Sequence, residues 1–213
     1  KTVVDEEMSE LISKLLIDKK VAVISGGNFK QFEKEILFPL KIDTNFSNLH
    51  LFPTDGAEYL NWNSKEGKWQ KIYQEPLTEK SKIRIKDAFS KVLSDIHFDT
   101  KNISGELIED RGSSITFSAL GQNASLEDKV KWDPDNKKRL EIRDRLVEII
   151  PELEIHVAGT TSIDVTAKGL DKAYGVRKMV EYTKVSIDKM IYVGDSLFPG
   201  GNDNPVISTG VRT

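Results

Sequence analysis

The chain has 213 residues with 31 basic and 34 acidic side chains, a formal charge of −3 and 38% hydrophobic content, enough for one large or two small folded units with a real core. The near-balanced charge offers no bulk attraction to nucleic acid or to an anionic membrane, so an anionic ligand must be held by local groups. The absence of cysteine excludes disulfides, thiolate metal sites and cysteine nucleophiles, and with no apolar run of bilayer length and no secretory signal in Lys1-Thr2-Val3-Val4-Asp5 the expected location is the cytoplasm.

Residues 5–18 carry Met8, Leu11, Ile12, Leu15 and Leu16 at helical spacing behind early acids, which predicts a helix lying on a sheet. Val21–Ile24 is a short buried strand ending at Ser25-Gly26-Gly27-Asn28, and a helix is predicted over 29–37. Strand, glycine turn and helix can cradle a phosphate, and they equally make a plain tight turn. A further apolar segment spans 48–53. The Asp55-Gly56 turn then leads to a hairpin over 58–73, with Trp62 and Trp69 read as packing residues. A long helix follows Pro76, from Thr78 to about Ile96. Two strands, 107–110 and Ser114–Ser118, are joined through Arg111-Gly112. A charged amphipathic helix follows Pro134 over 135–150, and two more strands, 154–157 and 162–166, are joined through Gly159. That order is the grammar of a small α+β unit with an antiparallel sheet, inserted between the halves of a parallel one. Lys172 starts a helix over 172–180, with Gly169 and Asp171 marking a surface turn before it.

The most chemically pointed stretch is 190–206, MIYVGDSLFPGGNDNPV. Met190, Ile191, Tyr192 and Val193 are apolar without alternation, which predicts a strand covered on both faces. In open α/β sheets ligands bind at the carboxyl ends of such strands, where Gly194 and Asp195 fall. Pro199, Gly200 and Gly201 bend the loop and return Asn202 and Asp203 towards Asp195. Two carboxylates and an amide suit Mg²⁺, which takes oxygen ligands and keeps several waters; the same residues suit a solvated turn with acidic caps. His50, His97 and His156 share no ligand spacing and are expected to pack or face solvent.

Ser25 closing an apolar strand, Lys172 before a helix, and Gly194-Asp195 with Gly201-Asn202-Asp203 closing another strand resemble motifs two, three and four of the haloacid dehalogenase (HAD) superfamily of phosphohydrolases. The segments GDSLFPGGND, EDRGSSITFSALGQ and SIDVTAKGLDK resemble the eukaryotic-type phosphomannomutases and their phosphatase-like relatives, over nearly the whole chain. The resemblance implies an α/β fold: a Rossmann-like core with a parallel sheet, built from residues 1–76 and 168–213, and an inserted α+β cap with an antiparallel sheet over 77–167. It implies that Ser25 hydrogen-bonds a phosphoryl oxygen beside Gly26 and Gly27, and that Lys172 neutralises phosphoryl charge. Asp195 would hold Mg²⁺, with Asn202 and Asp203 completing the metal's surroundings. Arg111, Gln122, Lys129, Ser162 and Asp164 coincide with substrate-contacting positions of the cap. These are the parts that phosphoryl transfer requires, since its catalysis is mostly positioning and charge stabilisation. By the same analogy the partners are a small phosphorylated metabolite and a second copy paired through the cap, with no nucleic acid and no membrane.

Two departures bear on function. The family's nucleophile loop is expected roughly 20 residues upstream, ahead of Lys1, which stands where a basic residue follows that loop. Gln122 and Lys129 occupy positions where the mutases carry arginines; Gln loses the charge and Lys loses the bidentate fork. The leading expectation is a Mg²⁺-dependent phosphohydrolase acting on a small phosphorylated sugar or similar metabolite through an aspartyl-phosphate. A phosphomannomutase is the second reading. A non-catalytic sugar-phosphate binding fragment is the third, if the nucleophile loop is absent.

Overall fold

The computed structural model describes residues 3–41, 43–199 and 201–213; Lys1 and Gly200, given a basic contact and a bend in the sequence reading, lie outside them. Asp5 caps helix α1 (Glu6–Asp18), accepting from the Met8 amide at 2.9 Å, with Glu6 and Glu7 in the first turn where the helix dipole favours them. Ile12 and Leu16 pack with Leu49, Leu51, Val21 and Val23. Met8, Leu11 and Leu15 are exposed, a correction to the expectation that the whole apolar stripe lies on the sheet. The step of 3.6 residues per turn carries 8, 11 and 15 onto the flank beyond its reach.

Strand β1 (Val21–Ile24) pairs parallel with β2 (Leu49–Phe52), and β3 (Glu58–Asn63) and β4 (Lys68–Gln74) continue the sheet antiparallel, in the order β1-β2-β3-β4. The core sheet is therefore mixed, with one parallel pair rather than parallel pairing throughout. Trp62 and Trp69 pack edge-on at 5.5 Å on the β3–β4 hairpin, as packing residues should. Between β1 and β2, helix α2 (Phe29–Phe32) opens on a reciprocal Asn28–Gln31 capping box and passes into a π-helical turn over Glu33–Leu37. The predicted 29–37 helix is thus present but wound more loosely in its second half.

The cap forms a second sheet, antiparallel in the order β5-β6-β8-β7: β5 (Ile108–Asp110), β6 (Ser114–Ser118), β7 (Leu153–Ala158) and β8 (Ser162–Ala167). Helices α3 (Glu79–Asp95) and α5 (Lys137–Ile149) cover it, and Phe89, Phe117, Ile142, Leu146 and Val165 make its apolar core. A short helix α4 (Leu126–Trp132), capped by Ser125, was not expected; its seven residues are too few for a helical period to show, and Leu126 and Val130 are exposed. The core's own apolar clusters share no residue with the cap's. Helix α6 (Lys172–Thr183) begins at the N-cap Asp171, whose side chain accepts from the Tyr174 amide. Its Gly175 lies against Gly56, where a Cβ would meet the Gly175 Cα at 2.5 Å; the two glycines let α6 seat against the turn after β2.

The segment 190–193 departs from expectation. Only Ile191 forms a bridge, to Arg212, and Ile191 and Val193 are 62% and 91% exposed. Met190 and Tyr192 instead turn inward onto the cluster of Phe52, Val176 and Val206. The run has the alternation of a half-covered extended segment, because no strand among the described residues pairs with its outer side.

Candidate active site

A cleft of about 540 Å³ lies between core and cap, bordered by Ser25, Gly26, Gly27, Arg111, Gln122, Lys129, Ser162, Asp164 and Asn202 among the residues singled out from sequence. Lys172, Asp195 and Asp203 do not border it. The fold thus unites nine of the expected residues in one cavity and leaves the other three outside its lining, Lys172 paired with Asp203.

The core end is built on strand termini. Ser25 follows β1, and its Oγ accepts from the Gly27 amide at 3.3 Å. Because β2 runs parallel to β1, its own end arrives alongside: the amides of Asp55 and Thr54 donate to the carbonyls of Ser25 and Gly27 at 2.9 and 3.0 Å. Thr54 and Asp55 adopt left-handed φ values of 50° and 55°, a strained pair of the kind found where a site over-determines its backbone. Asp55 is 2% exposed and its Oδ1 has no hydrogen-bond partner. Burial raises its carboxyl pKa, opposed by Lys172 and Arg111. The sequence reading took Asp55-Gly56 as a turn only; the usable signal was its place at the end of a strand next to Ser25.

Lys172 is 7% exposed and donates to Asp203 Oδ1 at 2.6 Å. This corrects its placement on a surface turn: the turn is at Gly169, and α6 carries Lys172 inward from its first position. Asp203 is 2% exposed and also accepts from Tyr192 Oη at 2.5 Å and the Ser196 amide at 3.0 Å. Burial pushes its pKa up, but the Lys172 charge and these hydrogen bonds outweigh it and hold the carboxyl below the usual range. Tyr192, read as a strand residue, is thus part of the site.

At the cap end, Arg111 lies across the Ser25 turn, with Nη1 donating to the Gly26 carbonyl at 2.7 Å, Nε and Nη2 bound to Glu109 Oε2 at 2.8 and 2.7 Å, and Asp164 at 3.9 Å. Asn28 donates to Glu109 Oε1 at 2.9 Å, so the cap rests directly on the glycine turn after β1. Gly26 has no space for a side chain, since a Cβ would run into Asp164 Oδ2. Asp164 is 2% exposed and accepts from Thr116 Oγ1 at 2.5 Å; burial, with Asp55 adding to it and Arg111 opposing, pushes its pKa up to about 6. Ser162 Oγ lies 3.4 Å from Ser118 Oγ. Lys129 donates to the Gln122 carbonyl at 2.7 Å, and burial lowers its pKa while Glu35 opposes the shift.

Asp195 is exposed, and its Oδ1 accepts from Ser196 Oγ at 3.2 Å. Asp195, Asn202 and Asp203 carry oxygen donors, the type a hard cation takes, but Asp203 Oδ1 and Oδ2 already accept from protein donors, and no group of three acidic, cysteine or histidine side chains that could hold a metal occurs among the described residues. No helix among them is long and apolar enough to cross a membrane.

A mixed α/β core with Ser25 and Asp55 at strand ends, a buried Lys172 at the start of the helix after the cap, and an α+β cap facing the Ser25 turn make up a HAD fold. The fold recurs in Plasmodium falciparum IMP-nucleotidase, with a TM-score of 0.67 at 17% identity over 98% of this chain and 58% of that one, and in SMU.1108c of Streptococcus mutans UA159, with a TM-score of 0.60 at 17% identity over 97% of this chain and 78% of that one. The chain belongs to the eukaryotic phosphomannomutase family, whose profile matches residues 8–213. Its relatives include a probable phosphomannomutase of Caenorhabditis elegans, 25% identical over 95% of this chain and 78% of the relative, and a phosphomannomutase of Encephalitozoon cuniculi, 26% identical over 93% and 75%.

Proposed function

We propose that the protein is a Mg²⁺-dependent phosphohydrolase of this family, acting on a small phosphorylated sugar or similar metabolite through an aspartyl-phosphate. The observation that carries the reading is the state of the cap's cations at the cleft. Arg111 is engaged by Glu109 and the Gly26 carbonyl, Lys129 by the Gln122 carbonyl, and Glu35 and Asp164 also border the cavity. A monoester needs charge compensation mainly at its reacting phosphoryl group; a bisphosphate that must reorient needs it at both ends, and here the cap end offers little.

In this reading Ser25 and the Gly26-Gly27 turn orient the phosphoryl group, Lys172 supplies positive charge beneath it, and Asp203 and Tyr192 hold that lysine in place. Asp195, with Asn202, would hold Mg²⁺, whose charge would offset that of the transferring phosphoryl group. The residues discussed here bind, orient and neutralise; the nucleophile's role is assigned to none of them. The mutase reading is favoured by the family match itself and by Arg111, Ser162 and Asp164 bordering the cleft. The discriminating experiment follows inorganic phosphate release and 1-/6-phosphate interconversion side by side, using hexose monophosphates and the full-length protein. Faster interconversion would replace the hydrolase reading with the mutase one.

A further inference from the structure

Helix α2 and the π-helical turn that continues it have two faces. Phe32 and Leu37 are buried in one apolar cluster with Leu49 and Leu51 of the sheet, and Phe29 and Ile36 pack on that cluster. Gln31, Lys34 and Glu35 border the cleft instead; steps of three and four residues put them on one side of the helix. Gln31 is used locally, its Oε1 accepting from the Asn28 amide at 2.9 Å, and Lys34 is exposed. Glu35 is different: it is partly buried, and among the described residues its carboxylate has no hydrogen bond and no ion pair.

The other acids at this junction are served by the protein. Glu109 accepts from Arg111 and Asn28, and Asp164 from Thr116. Partial burial raises the Glu35 pKa, and the charges of Lys34, Arg111 and Lys129 oppose the shift. Arg111 and Lys129 belong to the cap, so Glu35 stands where the core faces the cap end of the cleft. Neither cation is spare, since Arg111 is held by Glu109 and the Gly26 carbonyl and Lys129 by the Gln122 carbonyl. A carboxylate partly withdrawn from water and without a protein donor has hydrogen bonds to gain from a ligand that carries donors. The same charge works against a ligand that brings a second anion to that place, and a site discriminates as much by such repulsion as by attraction.

We propose that Glu35 is a specificity-determining residue of the cleft: its carboxylate accepts from hydroxyl groups at the non-phosphorylated end of a monoester and repels a second phosphoryl group placed there. The inference deepens the reading that the cleft takes a phosphorylated metabolite, and rests on it.

The test is calorimetric titration of the full-length protein with mannose 6-phosphate and, separately, mannose 1,6-bisphosphate, in magnesium-free buffer so that nothing turns over. Glu35→Gln keeps an acceptor oxygen and loses the charge. It should tighten the bisphosphate at least about tenfold, the scale of removing one like charge from a partly dehydrated site, and weaken the monophosphate by no more than about threefold. Glu35→Leu, which loses the acceptor as well, should weaken the monophosphate at least about fivefold. Glu33→Gln removes a charge from the same helical segment at a position that does not border the cleft, and should change neither affinity. An unchanged bisphosphate affinity in Glu35→Gln overturns the proposal. So does equal tightening in Glu33→Gln, which would show a diffuse charge effect, or undiminished monophosphate binding in Glu35→Leu. If Glu35→Leu does not fold, the two Gln variants decide. A wild type that binds neither ligand rejects the reading of the cleft itself, and this inference with it.

Discussion

The two ends of the cleft handle charge in opposite ways. Beyond its core end, off the cleft itself, Lys172 and Asp203 are buried together, and Tyr192 and the Ser196 amide complete the set around Asp203. At the cap end Arg111 and Lys129 border the cleft, both bound to the protein's own oxygens. The difference teaches that counting cations misjudges affinity for phosphate: what matters is the donors left after the protein's own acceptors are served. In the proposed reading the core takes the phosphoryl group and the cap a lightly held remainder of the substrate.

The comparison breaks first at the metal. Asp195→Ala should abolish Mg²⁺-dependent turnover in the full-length protein with little change in melting temperature, because its side chain is exposed; full activity at saturating magnesium would remove it from the site. Next in size, Lys172→Met should lower kcat/KM by about 10²- to 10³-fold, the range for losing one preorganised donor. It should also destabilise the fold, since Asp203 would stay buried without its cation. A double-mutant cycle with Asp203→Asn separates the effects: stability should couple strongly between the two, and normal turnover in Lys172→Met would show a purely structural lysine.

At the cap end, Gln122→Arg combined with Lys129→Arg should raise the ratio of isomerisation to phosphate release at least about tenfold, because each new charge-assisted hydrogen bond contributes about 1.5–3 kcal/mol. An unchanged ratio would show that the cap's cations do not set the outcome. The smallest expected effect is on pH dependence. Asp164 titrates at about 6 in the fold against an ordinary value of 3.8, so the folded state binds its proton more tightly than the unfolded chain does. Its contribution therefore favours folding below about pH 4 and is lost as the pH rises towards 6. Asp164→Asn should flatten that slope in denaturant melts at successive pH values, leaving a residue from Asp55, whose carboxyl is also raised by burial.

Much of this was legible from one dimension. Local apolar runs and punctuating glycines placed β1, the β3–β4 hairpin, the cap strands and the four long helices, because each is decided by neighbours in sequence. Ser25 and the cap residues followed from motif resemblance, and the fold gathers them. Asp55 and Tyr192 were missed because their significance comes from partners that only folding brings alongside: Asp55 from the parallel pairing of β1 and β2, Tyr192 from Asp203. The 190–193 run misled for the same reason, since an apolar tetrapeptide does not report whether a neighbouring strand covers it. Lys172 was placed on the surface by its turn-like neighbours, whereas the first position of α6 points it inward.

The central claim is that an engaged, weakly cationic cap leaves water as the phosphoryl acceptor. It is tested most directly by incubating the full-length protein with mannose 6-phosphate, Mg²⁺ and a hexose bisphosphate activator, and measuring inorganic phosphate and mannose 1-phosphate in the same reaction. Phosphate appearing faster than mannose 1-phosphate is the predicted result; mannose 1-phosphate appearing faster would contradict the account.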